Sequence, residues 1–474
     1  MKEKKAKKPF NRAKFNYRLT SGVVCVLVIA VVIIVNILFG ALGEKVNTKI
    51  DLTHDRILDF SDQTIQTLKN LDQEVRVYNL IPEDTGVGVV ESVENVLDRY
   101  KQLSSKIKYE RIDVAKNPVF MQKYQTSDSQ FSNYCFIFET DKKFKVVDLN
   151  DTVVFNNQTG DVNYISAEQK FTNAIAFVTS DTETKVAVVE GHGETSISTF
   201  EGILTDANYT VQSINLTSQD IPDDVSVLVI SAPQNDYSGE EIDKIDRFFD
   251  RGGDAQIFWG ILQPALPNLE GYLAEWGVKM HGGFALDTST NRYVPGVVQY
   301  LLPEVVNTDI TSQIAENGLM VVLKGARGFD LTEVPGVEAQ VLLKGSENSF
   351  VRVGDSQTFA YEEGDVRGPV NLAVHLSHLM ENDTTNIMVV GTSGLVDADA
   401  ISGGVFANLD FYLNTLSAMT NKSDDVYIRP KDVSTQRFAT TPLMVIIFGG
   451  ITVVIIPLII IVLGIVIWMR RRHL

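Results

Sequence analysis

Apolar positions along this chain fall into three patterns. The first is a pair of uninterrupted runs near the two ends. Residues 20–42 carry no charged side chain, and neither do residues 440–469. A helix needs about 20 apolar residues to cross the hydrocarbon of a bilayer, so both runs predict transmembrane helices. The second pattern is helical spacing, and the third is the short strand. After a polar stalk at 44–60, Ser61 stands as N-cap to a helix over 61–70, with Ile65, Leu68 and Leu71 on one stripe. Strand Val75–Leu80 stops before Pro82. A helix near 89–103 is marked by Val89, Val93, Val96, Leu97 and Tyr100, and strand Lys106–Val114 alternates apolar with polar. Strands Phe131–Phe138 and Phe144–Leu149 join at Asp141-Lys142-Lys143 as a hairpin. The order β-α-β-β-β predicts a thioredoxin-like layer, so residues 43–180 read as a first α/β unit with its stalk.

A second unit, 181–420, opens on the continuous apolar run Lys185–Glu190, which suits a parallel strand buried on both faces. The turn Gly191-His192-Gly193-Glu194 follows. A helix comes next, with Ser198 and Glu201 spaced as a capping box and Phe200, Ile203 and Leu204 inward. Strand Val225–Ser231, a loop at Pro233–Tyr237 and a second capping box at Ser238 and Glu241 come after it. Ile242, Ile245, Phe248 and Phe249 share a helix face that ends at Gly252-Gly253. Strand Ala255–Trp259 and a helix near 267–276 stopped by Gly277 complete a rhythm that predicts a doubly wound sheet. Asn386–Gly391 reads as a further central strand. The helix near 405–419 buries Phe406, Leu409, Leu413, Leu416 and Met419. Residues 283–385, with strands such as Gly318–Leu323 and Ala339–Leu343, read as an insertion or a β-rich extension. Residues 421–439 form a polar return to the membrane.

Charge orients this layout. Lys2, Lys4, Lys5, Lys7, Lys8, Arg12, Lys14 and Arg18 precede the first run, and Arg470, Arg471 and Arg472 follow the second. Positive flanks stay in the cytoplasm. The tails 1–19 and 470–474 are therefore expected inside the plasma membrane, and residues 43–439 outside it. Between the runs stand 59 acidic against 31 basic residues. That excess argues against nucleic acid, which is bound through basic patches, and against close contact with anionic headgroups. Lipid contact is expected through the two helices. Ala41-Leu42-Gly43 also fits the cleavage site of a signal peptide, an alternative to an uncleaved anchor. Pro457 and Gly449-Gly450 in the second run suit either a kinked anchor or a helix-contact face. The two cysteines, Cys25 in the first run and Cys135 in a strand, form no structural disulfide under this topology, and no redox Cys-x-x-Cys is present.

Gly191, His192, Gly193 and Glu194 are the candidate site. They lie at the carboxyl end of a strand and before a helix, where open α/β sheets hold ligands and helix N-termini favour anions. His192 and Glu194 suit a metal or a proton relay. The plainer reading is a tight turn whose polar groups cap neighbouring backbone. His281, His375 and His378 are scattered, and no HExxH or Cys/His cluster occurs, so no metal site is assigned. Gly191-x-Gly193-x-x-Ser196 misses the dinucleotide pattern at its third position. No acidic residue closes the next strand near Val211–Leu216. No P-loop or G-x-S-x-G elbow appears, and neither a cofactor nor a catalytic set is expected. Asp223-Asp224 and Glu362-Glu363 read as solvated loops. Trp259 and Asp236 read as core packing and a turn cap, with a cleft lining as the alternative.

The segments Ile50-Asp51-Leu52-Thr53, Leu58–Thr64, Leu71–Tyr78, Val186–Glu194 and Val389–Ser393, with Asn408, Phe411, Leu413 and Asn414, occur in an order that resembles the GldG family. These are gliding-motility-type auxiliary components of ABC transporters. The resemblance covers most of the chain. It implies a subunit working with an ABC-type ATPase and a multi-span permease of the ABC-2 type. It also implies an outer α/β domain similar to class I glutamine amidotransferase-like folds. Those enzymes carry a Cys nucleophile at a strand–helix elbow. The comparable turn here, Gly191–Glu194, has none, so that chemistry is not expected. The expectation is a non-catalytic, membrane-anchored accessory subunit whose ectodomain contacts permease, cargo or envelope. The alternative is an extracytoplasmic ligand-binding or sensor module with its site at 191–194, and a hydrolase built on His192 and Glu194 is a third.

Overall fold

The first folded element begins where Ser61 caps it. Its hydroxyl accepts the Thr64 N–H, and helix α1 (Asp62–Lys69) follows. The computed structural model describes residues 58–433, apart from 83–84, 86–87, 125–131, 156–159, 182, 196–197, 262–263, 355, 357, 380–382, 402–404 and 421–427. Beyond those bounds it describes isolated helical positions, Ala30 and several between Leu458 and Met469. Leu58–Leu474 group as one compact unit and Met1–Ile57 as another. Apart from those isolated positions, the two expected spans, most of the stalk and both tails lie outside the described residues. Among the described residues, no helix is long and apolar enough to cross a membrane.

Strand β1 (Val75–Asn79) leads through α2 (Val89–Leu103) to β2 (Ile107–Arg111). A short helix α3 (Pro118–Gln122) precedes the hairpin of β3 (Cys135–Glu139) and β4 (Phe144–Asp148). The sheet order is β2-β1-β3-β4, with β1 parallel to β2 and the other pairs antiparallel. The element order is thus βαβαββ. The sequence pattern lacks α3 because its five residues span little more than one turn. Burial pushes the Cys135 thiol up to about 12, with Asp148 adding to the effect. Such a thiol is an inert core group.

Helix α4 (Ala167–Thr179) packs behind this sheet and was not legible as a stripe. Its Glu168 Oε1 accepts the Ser61 N–H at 2.7 Å, the Ser61 hydroxyl at 2.9 Å and the Thr64 hydroxyl at 2.9 Å. The start of α1 is therefore pinned to a residue more than one hundred positions away. Strands β5 (Val153–Phe155) and β6 (Val162–Ile165) pair, and Lys431–Asp432 adds to β6. Part of the expected return segment is thus built into the fold beside α4.

The large sheet carries β7 (Thr184–Val189), β8 (Tyr209–Ile214), β9 (Val225–Ser231), β10 (Asp254–Phe258) and the later strand Thr384–Val390. All are parallel, in the order β8-β7-β9-β10 and then Thr384–Val390. Numbered along the chain this is 2-1-3-4-5, a doubly wound order whose switch point falls between β7 and β9. Asn371–Leu379 continues the sheet antiparallel, joined by Val337–Lys344, Phe329–Leu331 and Val278–Met280. Residues 283–385 therefore supply much of one side of the main sheet. Gly318–Leu323 is not a strand; pairing there is confined to Leu323–Lys324.

The apolar strands are buried on both faces. Val186, Val188, Val227, Val229 and Val390 pack with Phe411, Tyr412 and Leu416 of the helix Asn408–Met419. Ala187, Val189, Leu228, Ile230 and Ile257 pack on the other face with Ile245, Phe248 and Phe249 of α6 (Gly239–Asp250). Leu269 and Leu273 of α7 (Pro267–Glu275) join them. Each such side chain contributes about 1.5–3 kcal/mol on burial. The α6 capping box forms in full. The helix α5 covers Ser198–Asp206, and the box expected at Ser198 and Glu201 rests on a side chain outside the described ones.

Candidate functional site

The carboxyl end of β7 turns sharply because two glycines take positive φ, 115° at Gly191 and 74° at Gly193. A Cβ at Gly191 would meet Asn215 Nδ2 at 2.7 Å, closer than side-chain carbon tolerates. The turn is laced to the loop after β9. The N–H groups of Gln234 and Asn235 both donate to the His192 carbonyl, at 2.8 and 2.9 Å, and the Thr195 N–H donates to the Ser231 carbonyl. Those are the strand ends on either side of the switch point.

His192 fills the space between them. It is 6% exposed, and its ring stacks on Tyr237 with centroids 4.1 Å apart. Nε2 lies 3.2 Å from Glu241 Oε1, and Nδ1 lies 3.5 Å from Glu194 Oε1. Glu194 accepts the His192 N–H at 2.8 Å and the Tyr237 hydroxyl at 3.2 Å. Glu241 accepts the Thr217 hydroxyl and the Ser238 N–H and hydroxyl, each at 2.8 Å. Burial opposes ionisation of Glu241, but the donors from Ser238 and Thr217, aided by His192, outweigh it and hold the carboxyl at about 2. Burial beside Glu194 pushes the Tyr237 hydroxyl well above its ordinary value. This cluster occupies the position where open α/β sheets hold ligands, and the Tyr237–Glu194 and His192–Glu241 contacts join its two sides.

All four expected residues are at this turn. Tyr237, Glu241 and Thr217 join them, arriving from three other positions along the chain. Glu241 was legible as the fourth residue of a capping box; its second contact, with His192, was not. His281 is 3.1 Å from Asp330 and His378 faces Trp276. His375 is half-buried in the strand Asn371–Leu379, and that desolvation lowers its pKa. Among the described residues no group of three His, Cys, Asp or Glu is placed to hold a metal ion.

The other candidates serve the fold. Asp236 caps α7, accepting the Asn268 and Leu269 N–H groups at 2.8 and 3.2 Å. Trp259 is fully buried beneath the Arg327 guanidinium, 5.2 Å from its ring centre. Asp223 pairs with Arg251 at 2.7 Å and Asp224 pairs with Lys185. Ala232, directly after β9, takes φ of 47°. A non-glycine residue there costs about 1–2 kcal/mol. Catalytic elbows place their nucleophile at such a strained strand–helix turn; the residue here offers a methyl group. A groove of about 590 Å³ between the Ser289–Arg292 and Glu304–Val305 segments, lined also by Leu319 and Met320, carried no sequence motif.

Comparison with known proteins gives two family matches. Residues 183–415 match the family described as an ABC-type uncharacterized transport system. Residues 54–163 match a domain of unknown function, DUF7088. No protein of curated function matches. Among solved structures, the mmIFT52 N-terminal domain is similar at 13% identity, over 50% of this chain and 97% of that one, with a TM-score of 0.38. PurLQS from Thermotoga maritima is similar at 12% identity, over 50% and 100%, with a TM-score of 0.26. A glutamine amidotransferase from the same organism is similar at 11% identity, over 43% and 74%, with a TM-score of 0.22.

Proposed function

Because residues 183–415 carry the domain of an ABC-type transport system auxiliary component, we infer that this chain is a non-catalytic accessory subunit of an ABC-2 type exporter. The partners in this reading are an ABC-type ATPase, since the chain has no P-loop of its own, and a multi-span permease. The apolar runs at 20–42 and 440–469 anchor it in the plasma membrane with both ends cytoplasmic, and residues 43–439 meet permease, cargo or envelope outside. The observation that carries the reading is the family match. The filled switch point supports the non-catalytic part, since His192, Glu194, Tyr237 and Glu241 are engaged with one another. Purification of the intact chain from its host membrane in mild detergent tests it. Recovery of an ATPase and a permease is expected; recovery of the chain alone contradicts it.

One observation favours a second reading, a small polar ligand at the 191–194 turn. The buried His192 Nδ1 has no partner in hydrogen-bond geometry. A thermal-shift series of the intact protein with sugars, peptides and metal ions tests this reading, and no shift with any class removes it.

A further inference from the structure

The groove of about 590 Å³ has one polar wall and one apolar wall. The polar wall is organised by Asp287, which is 6% exposed. Its Oδ1 accepts the Ser289 N–H at 2.9 Å and the Ser346 hydroxyl at 2.8 Å, and its Oδ2 accepts the Ser346 N–H at 2.8 Å. The Ser289 and Ser346 hydroxyls meet at 3.0 Å. A carboxylate is buried at little cost only when it is hydrogen-bonded. Its donors here come from two loops, so burying it fastens those loops together. The Arg292 N–H closes the first loop onto the Ser289 carbonyl at 2.9 Å, and Thr290, Asn291 and Arg292 line the groove.

The apolar wall is Leu302, Pro303 and Val305, after the strand Val297–Leu301, with Leu319 and Met320 beyond the helix Ser312–Glu316. Gly318 takes φ of 62° there, and the Leu319 N–H donates to the Ile314 carbonyl at 2.9 Å, which closes the helix end. Both walls are thus held by internal hydrogen bonds, and a preorganised site loses little entropy on binding. The groove's volume also lies within the range of small-molecule pockets, about 300–1,000 Å³. Charge narrows the ligand. Arg292 is the one cation among the described lining residues. Its Nη2 stops 4.0 Å from Glu304 Oε2, beyond hydrogen-bond reach, while Lys344 Nζ stands 3.3 Å from Glu304 Oε1. The guanidinium therefore keeps its fork of donors, which matches a carboxylate bidentately. A dianion such as phosphate would face Glu304 without a second cation in the lining to offset it.

We propose that this groove binds an apolar monocarboxylate, with the carboxylate on the Arg292 guanidinium and the hydrocarbon against Leu302, Pro303, Leu319 and Met320. A free branched-chain acid and the C-terminal residue of a peptide present the same chemistry. Binding there requires nothing of the accessory-subunit role. Isothermal titration of the full chain in non-ionic detergent tests it, with isocaproate and with the tripeptide Ala-Ala-Leu, each against its carboxamide. At least one acid should bind, and both its carboxamide and the R292M substitution should weaken binding about tenfold, the effect of losing a charged hydrogen bond. R292M should keep an unchanged melting curve. Binding of isocaproate assigns the groove to a free acid, and binding of the tripeptide alone assigns it to a peptide terminus; either upholds the monocarboxylate. If neither acid binds, if the carboxamides bind as tightly, or if R292M binds as tightly as the unsubstituted chain, the proposal is overturned. Inorganic phosphate binding in place of the acids overturns it as well.

Discussion

The turn after β7 and the loop after Arg352 both bury charge, and they do so to opposite ends. At the turn, His192 and two carboxylates join the ends of β7 and β9, and their polar groups face one another. In the loop, one guanidinium gathers carbonyls and a carboxylate inward and leaves aromatic rings outside. The lesson is that strand ends at the switch point of a doubly wound sheet can be laced together by side chains.

The comparison can be strained first at Arg352. R352M leaves the Asp365 carboxylate and three carbonyls without their donor. It should destabilise the protein by about 3–5 kcal/mol, read by urea denaturation, and should open residues 353–365 to protease before the rest. An equal rate of cleavage in both proteins would mean the arginine does not hold the loop. At the turn, E241A removes the carboxylate's half of the capping box and the contacts to Thr217 and His192, and about 2–3 kcal/mol should be lost. The sign with pH follows from the carboxyl being held at about 2, below its ordinary value. Its contribution is complete above about pH 4.5 and disappears as pH falls toward 2. E241Q should therefore flatten the acid limb of a stability–pH curve.

The amino end of the same sheet gives a contrast of sign. Burial, only partly offset by hydrogen bonds from Asn386, pushes Asp254 up to about 7. The folded state then holds a proton that the unfolded chain releases near pH 4, so this residue lowers stability as pH rises from about 4 to 7. D254N keeps an acceptor for the Asn386 N–H, which now meets Asp254 at 2.7 Å. It should raise the melting temperature at pH 8 by a few degrees and leave it unchanged at pH 4. The smallest effect is S238A, which costs about 1 kcal/mol through the cap of α6 alone. A loss no larger in E241A than in S238A would mean that His192 gains nothing from Glu241.

Much of this fold was legible where one physical rule acts locally. Val227–Ile230 is an unbroken apolar run, and the strand Val225–Ser231 around it is buried along nearly its whole length. Ser238 and Glu241 stand at capping-box spacing, and the box forms. Elements that depend on distant partners were not legible. The helix Ala167–Thr179 carries Glu168, Thr172 and Asn173 among its apolar residues. Glu168 and Thr172 are buried because Ser61, Thr64 and Tyr100 meet them from elsewhere in the chain. The strand Asn371–Leu379 is interrupted by two histidines and a serine, and what defines it is its pairing with Thr384–Val390. At the site, the glycines pointed to the 191–194 turn, because positive φ is written into residue type. That Tyr237 would cover His192 was not written there. Nor was the burial of Arg352, since an arginine at a strand end reads as surface.

Hydrogen–deuterium exchange on the intact chain, alone and with the partner subunits proposed above, reads the turn directly. The account predicts that the 191–194 turn exchanges slowly and at the same rate in both states. Protection that appears at 191–194 only in the complex would contradict it.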